Sequence, residues 1–235
     1  MKTCIITGAS SGIGREVAIL LSQSAEFQNI AVLGRNIEGL EDTRSLMSIK
    51  NKDVSLWSVD LSNPAEIPSV VESIYEKYAS IDCLLNIAGY TDPQSLLQTT
   101  LDNFVLTYNV NVFAPFLLIR ESVKYMKKTG GKILNVASTA GMSSRPGWLS
   151  YSSSKAALIS MSQTLTDELS EYGIKVYCVS PGRCATKLRK RLAPNEDPSL
   201  IMQPIEVAEV ICNLVSDGET CLDGQNIVIR KQAKK

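Results

Sequence analysis

Short apolar runs rich in β-branched residues recur along the chain at Thr3–Thr7, Ile30–Leu33, Val54–Val59, Ile81–Ile87, Ile133–Ala137, Ile174–Val179 and Ile227–Ile229. Each has strand length, and the stretches between them carry helical spacing. Ile13, Val17, Leu20 and Leu21 make one such stripe, and Val70, Val71, Ile74 and Tyr78 another. Asn63-Pro64 reads as an N-cap followed by proline in the first helical turn. Gly173 stands where a C-cap glycine would end the long helix that begins near Tyr151. Strands alternating with helices of this length pair in parallel through right-handed crossovers. The expected fold class is therefore α/β: a doubly wound parallel sheet of about seven strands with helices on both faces. Ligands of such sheets sit at the carboxyl ends of the strands. No repeat, low-complexity tract or linker interrupts the pattern, so residues 1–235 are expected to form a single domain.

Charge narrows the range of partners. Lys and Arg together number 24, as do Asp and Glu, so no global field recruits nucleic acid or an anionic membrane. The longest apolar run, Val112 to Ile119, is too short to span a bilayer and contains Pro115. Lys2 is followed by a brief apolar stretch and a Gly/Ser turn, unlike a secretory signal, and the cytoplasm is the expected compartment. The six cysteines show no metal-like spacing, and Cys4, Cys83 and Cys178 fall within strand runs as small hydrophobes. The chain has no histidine. That removes Ser-His-Asp and Cys-His catalysis and histidine metal sites, and no metal is expected. Acid–base chemistry at neutral pH must then rest on a perturbed Tyr, Lys, Cys or carboxylate.

The first strand runs into Thr7-Gly8-Ala9-Ser10-Ser11-Gly12-Ile13-Gly14, and a helical stripe follows. Glycines let the backbone turn sharply and approach a pyrophosphate, while a helix N-terminus supplies free N–H groups and positive potential. The spacing is GxxxGxG. This segment resembles the cofactor fingerprint of the short-chain dehydrogenase/reductase family. The resemblance implies cofactor contacts from Gly8, Ser10, Ser11, Gly12, Ile13 and Gly14. Further marks of the family follow in order over nearly the whole chain. Asp60-Leu61, after the third strand, matches the acidic site near the adenine. Asn86-Ile87-Ala88-Gly89 resembles the motif after strand four, with Ile87 replacing its second Asn, and implies contacts from Asn86, Ala88 and Gly89. Pro181-Gly182 and Thr186 match the segment that holds the nicotinamide carboxamide. After the last strand, Ile229-Arg230-Lys231 replaces the family's usual paired glycines.

Cofactor choice has a physical argument. A carboxylate at the end of strand two would accept from the ribose 2′-OH of NAD and repel a 2′-phosphate. This chain has Gly34-Arg35-Asn36 there. Arg35 can fork onto a 2′-phosphate, so NADP(H) is expected over NAD(H), with Arg15 as a second candidate cation.

The pentapeptide Tyr151-Ser-Ser-Ser-Lys155 puts Tyr and Lys on one helical face. A free tyrosine titrates near ~10, and a neighbouring ammonium together with a positive nicotinamide would favour the phenolate and lower that value. Tyr151 can then protonate a developing alkoxide or take a hydroxyl proton in the reverse direction. Ser138, ending Asn135-Val136-Ala137-Ser138, can donate to the same oxygen. By resemblance Asn111 joins Ser138, Tyr151 and Lys155 in the family's catalytic tetrad, with Asn109 as the rival asparagine. Lys155 and Tyr151 also belong to the expected cofactor contacts.

Tyr90, Met142, Arg145 and Trp148 flank these elements as candidates for the substrate pocket. Leu158, Met161, Leu165 and Leu169 form a stripe suited to the core or to a helix-bundle dimer. The expected activity is hydride transfer between NADP(H) and a carbonyl or secondary alcohol of a small molecule, by a homodimer or homotetramer. A nucleotide-binding redox sensor of the same fold, without turnover, is the alternative. A substrate loop is expected at about 183–203. Its basic run Lys187-Leu188-Arg189-Lys190-Arg191, with Arg183, points to an anionic substrate: a sugar phosphate, a carboxylate or an acyl-thioester. The competing reading is a solvated basic face answered by Glu196 and Asp197.

Overall fold

A computed structural model describes residues 1–231; residues 232–235, the last four of the expected domain, lie outside the described residues. Seven strands form one sheet: β1 (Thr3–Thr7), β2 (Asn29–Gly34), β3 (Asp53–Ser58), β4 (Cys83–Asn86), β5 (Gly131–Val136), β6 (Ile174–Pro181) and β7 (Asn226–Ile229). Their order is β3-β2-β1-β4-β5-β6-β7, and every pairing is parallel. The strand order reverses between β1 and β4, which opens a crevice at their carboxyl ends.

Successive strand residues point to opposite faces, and each face has its own core. On one face Cys4, Ile6, Ile30, Val32, Cys83 and Leu85 pack under α1 (Gly12–Gln23) and, later in the chain, α8 (Pro204–Val215). On the other, Ile5, Ala31, Leu33, Leu84, Ile133 and Val176 meet α3 (Ile67–Tyr78), α5 (Ala114–Met126) and α6 (Leu149–Ser170). The remaining helices are α2 (Ile37–Leu46), α4 (Leu101–Tyr108) and α7 (Lys187–Leu192). Cys4, Cys83 and Cys178 are buried in the sheet as apolar filler. Leu158 and Leu169 of the α6 stripe are buried, and Met161 and Leu165 pack against the same core.

Two local expectations need correction or refinement. Pro64 opens a 3₁₀ turn, not an α-helix, and the Asn63 side chain caps no backbone N–H; its amide donates to Glu66 Oε1 at 2.8 Å. Pro68 cannot donate to the Pro64 carbonyl, so α3 begins at Ile67 with Pro68 in its first turn. Gly173 does lie beyond α6 in the left-handed region, at φ 66°, with its N–H donated to the Ser170 carbonyl at 3.0 Å. Between α4 and α5 the helix widens into a π-turn at Asn109–Phe113. Pro115 lacks the N–H that an α-helix would return to the Asn111 carbonyl, which accounts for the widening at that point.

Candidate active site

The crevice between β1 and β4 opens into a cavity of about 460 Å³. One wall is the glycine loop. Gly8 sits at φ +71°, and a Cβ there would lie 2.9 Å from the Ala88 Cα. A Cβ on Gly14 would fall 2.5 Å from the Gly8 carbonyl oxygen, so the loop and the first turn of α1 touch backbone to backbone. Thr7 Oγ1 accepts from the N–H groups of both Ile87 and Ala88, at 3.0 and 3.1 Å, and so pins the segment after β4 to the loop. That tie gives the Ile87 segment a polar anchor of its own. Ser11 places no side-chain oxygen on the first turn of α1, and that turn carries no acidic residue. Its leading N–H groups therefore remain for an anionic ligand. This cradle fits a dinucleotide pyrophosphate.

Gly8, Ser10, Ser11, Gly12, Ile13, Gly14, Arg35, Ala88, Gly89, Pro181, Gly182 and Thr186 all line the cavity, as do Ser138, Tyr151 and Lys155. Asp60, Leu61, Asn86 and Asn111 are not on its wall. The Asp60 carboxylate accepts from the Ser62 backbone and hydroxyl at 2.9 and 2.8 Å, bonds that hold it below the usual carboxylate range with help from the Arg35 charge. Leu61 is buried in the core. The Asn86 amide donates to Asn135 Oδ1 at 2.8 Å, and its own Oδ1 has no partner among the described residues. Arg15 is spent on the fold: it donates to Thr43 Oγ1, the Ser10 carbonyl and the Gly39 carbonyl. It is not on the cavity wall, whereas Arg35 is exposed there.

Tyr151 and Lys155 lie one helical turn apart on α6, with the ammonium 5.9 Å from the phenol ring centre. Lys155 is buried, and its Nζ donates to the Val136 carbonyl at 2.8 Å. Burial pulls its pKa down to about 8. The expectation that the ammonium lowers the Tyr151 pKa is not met: burial raises it, and a Ser138 hydrogen bond and the Arg145 charge only partly offset this. Ser138 Oγ accepts from the Ala140 N–H at 3.1 Å, which leaves its hydroxyl proton to donate. Trp148 packs edge-on against Tyr151, ring centres 5.7 Å apart.

Asn111 stands behind Gly89, where a Cβ would lie 3.5 Å from Lys155 Nζ and 3.6 Å from Asn111 Oδ1. Its amide accepts from the Tyr90 N–H at 2.8 Å and donates to the Tyr90 carbonyl and Ser154 Oγ at 2.9 and 3.0 Å. The π-turn thus clamps the loop after β4 to α6. Asn109 instead donates to the Ser62 carbonyl at 3.0 Å, on the far side of that turn.

The expected substrate loop, or lid, begins at Arg183. Thr186 Oγ1 caps α7 by accepting from the Arg189 N–H at 3.2 Å, and its methyl group faces Gly12. Glu196 accepts from Arg183 Nη1 at 2.9 Å and from Arg189 Nε and Nη2 at 2.6 and 2.8 Å. These bonds hold its carboxyl down to about 2. Asp197 caps the turn at Ser199. The Arg191 guanidinium donates to the Thr91 carbonyl at 2.9 Å, and Lys231 Nζ to the Ser199 carbonyl at 3.0 Å. Much of the basic run is therefore answered within the protein. Of the flanking candidates, Arg145 and Trp148 line the cavity; Tyr90 and Met142 do not. Sequence reading missed Thr91, a buried cavity residue whose hydroxyl has no partner among the described residues, although it lies two residues after Gly89. Among the described residues no three His, Cys, Asp or Glu side chains gather as metal ligands, and no helix is long and apolar enough to cross a membrane.

The profile of the short chain dehydrogenase family matches residues 2–197. The 3-oxoacyl-[acyl-carrier-protein] reductase FabG of Thermotoga maritima is 31% identical over 97% of this chain and 96% of its own length. The NAD⁺-bound structure of xylitol dehydrogenase superposes with a TM-score of 0.86 at 25% identity, covering 97% of both chains. The NADP-bound structure of ElxO superposes with a TM-score of 0.87, over 97% of this chain and 96% of that one. At 24% identity the latter likeness is one of fold alone.

Proposed function

The chain belongs to the short chain dehydrogenase family, and on that premise we propose that it is an NADP(H)-dependent oxidoreductase acting on a carbonyl or secondary alcohol. The observation that carries this reading is the convergence of Ser138, Tyr151 and Lys155 on the cavity whose other wall is the glycine cradle. A cofactor of this class supplies the hydride when bound. Gly8 to Gly14 would hold its pyrophosphate, Pro181-Gly182 and Thr186 its carboxamide, and Arg35 the 2′-phosphate. The absence of a carboxylate from Gly34-Arg35-Asn36, at the end of β2, supports NADP(H) over NAD(H). Asp60, Leu61 and Asn86, behind the wall, would act by shaping the adenine side and the loop after β4.

As hydride reaches the carbonyl carbon, the Tyr151 hydroxyl gives its proton to the oxygen, and the C=O double bond becomes a C–O–H single bond. Ser138 donates a hydrogen bond to that oxygen and favours the charge that develops on it. A phenol whose pKa burial has raised stays protonated at neutral pH, the state a proton donor needs. Lys155 returns a proton to Tyr151, and a pKa near 8 suits an ammonium that must release one close to neutrality. Asn111 keeps α6 and the loop after β4 in register around the lysine. Exposed Val105, Phe113 and Phe116 on and between α4 and α5 support assembly as a homodimer or homotetramer. A cytoplasmic location fits the same reading.

The test is NADPH consumption against aldehydes, ketones, keto-sugars and acyl-thioesters, by the wild type and Tyr151→Phe. The variant keeps the ring packing and loses the proton donor. Turnover should drop on the order of 10²–10⁴-fold with NADPH still bound. NADPH binding with no turnover of any substrate by the wild type would instead favour the sensor.

A further inference from the structure

Six cationic side chains line the cavity: Arg35, Arg145, Lys155, Arg183, Lys187 and Arg189. Arg183 and Arg189 share the Glu196 carboxylate. Lys155 is held by the Val136 carbonyl, and Lys187 begins α7 next to Thr186, whose methyl faces the glycine loop. Two guanidiniums on the wall have no carboxylate within 4 Å among the described residues, and they mark opposite ends of the cavity. Arg35, after β2, serves the adenosine end in the reading above. Arg145 stands at the reacting end. One of its N–H groups donates to Thr139 Oγ1 at 3.2 Å, and Thr139 directly follows Ser138. Its remaining donors have no partner among the described residues.

We propose that Arg145 is the substrate-recognition residue and that the substrate is a small oxo or hydroxy acid whose carboxylate it binds. The proposal rests on the oxidoreductase reading and names the substrate class for the same site. Three observations carry it. A guanidinium fork matches a carboxylate in geometry and charge. Among the wall's guanidiniums near Ser138, Arg145 alone has no carboxylate among the described residues and answers one negative charge; the two lid arginines that would complete a phosphate dianion's site are engaged with Glu196. Trp148, Leu188 and Leu192 add apolar surface to the wall, which suits a short carbon chain between carbonyl and carboxylate. Because Arg145 braces the residue next to Ser138, the two groups of the substrate stand only a few bonds apart. The anion site thus shifts from the basic run of the lid to a single residue before α6.

The experiment titrates NADP⁺-loaded protein calorimetrically with 2-oxobutyrate, acetoacetate and levulinate, each against its methyl ester. At least one acid should bind about ten- to a hundred-fold more tightly than its ester, the range expected for a charge-assisted pair. In Arg145→Met that ratio should fall to about one, and Arg145→Lys, which keeps the charge but loses the fork, should retain part of it. Equal binding of acids and esters by the wild type, or a preference that survives in Arg145→Met, would overturn the proposal. Turnover is read separately with NADPH. Acids that bind through Arg145 yet are never reduced would defeat the oxidoreductase reading while leaving the anion site standing.

Discussion

The glycine loop, from Gly8 to Gly14, and the lid from Arg183 onward close on the same cavity, with Gly12 against Thr186, and they are held by different forces. The loop is fixed by exclusion. Backbone lies on backbone at Gly14 and Gly8, and any side chain there would have to displace main chain. The lid is fixed by pairing. Glu196, Arg183, Arg189, Arg191 and Lys231 hold it through long side chains, several of them half in water. Steric exclusion tolerates no substitution and ignores salt; ionic pairing tolerates several and is weakened by it. One cavity therefore has a rigid wall, where the proposed cofactor would lie, and an adjustable wall, where the proposed substrate would lie.

The hardest blow to the rigid wall is Gly14→Ala. Its new Cβ would start 2.5 Å from the Gly8 carbonyl oxygen, far inside contact distance, so the loop must move. Overpacking of this kind costs about 1–3 kcal/mol and here also shifts the N–H donors offered to the pyrophosphate. NADPH affinity should fall on the order of a hundred-fold with a lower Tm, measured by titration and thermal melting. Wild-type affinity in this variant would show that the loop is not set by exclusion.

A smaller effect is expected where the same wall uses charge. Arg35→Asp removes the fork and adds a repelling carboxylate after β2. NADPH should bind about ten- to a hundred-fold more weakly, while NADH loses little, so the gap between the two narrows. If the unaltered protein already binds NADH better, the argument from Arg35 is wrong.

The same division explains what was legible in the sequence. The seven strands, the glycine loop and the Tyr151/Lys155 pair could be read because each obeys a rule of spacing or of backbone freedom. The seven-strand parallel sheet is as expected, within a residue or two at most strand ends. What escaped depends on which of several possible partners a side chain takes. Arg15 lies beside the loop in sequence, yet it turns back to Ser10, Thr43 and Gly39. The run from Lys187 to Arg191 reads as one basic patch, but its members point to different acceptors. No periodicity says that Glu196 will take two of the arginines, or that Arg145 will take none of the acids. The rise in the Tyr151 pKa was equally hidden, since burial is a property of the closed cavity and not of the pentapeptide.

The gentlest test falls on the adjustable wall. Glu196→Gln keeps the shape of the side chain and removes the charge that joins Arg183 to Arg189. Its amide oxygen can still accept from one guanidinium, but its NH₂ group faces the other as donor against donor. The pairs are partly open to water, with Arg183 59% exposed and Arg189 22%, so solvent already screens part of their strength. The lid should open two- to fivefold more often, a range typical of exposed pairs. Trypsin reports this directly, because α7 carries Lys187, Arg189, Lys190 and Arg191 and is cleaved only when it detaches. Cleavage there should quicken by the same factor in the variant. Raising the salt from about 0.05 to 0.5 M should quicken it in the wild type and change the variant far less, since the Debye length falls from more than ~10 Å to under ~8 Å. Equal cleavage in both proteins at both salt concentrations would mean that the lid, like the glycine loop, is held by packing, and that the contrast between the two walls does not exist.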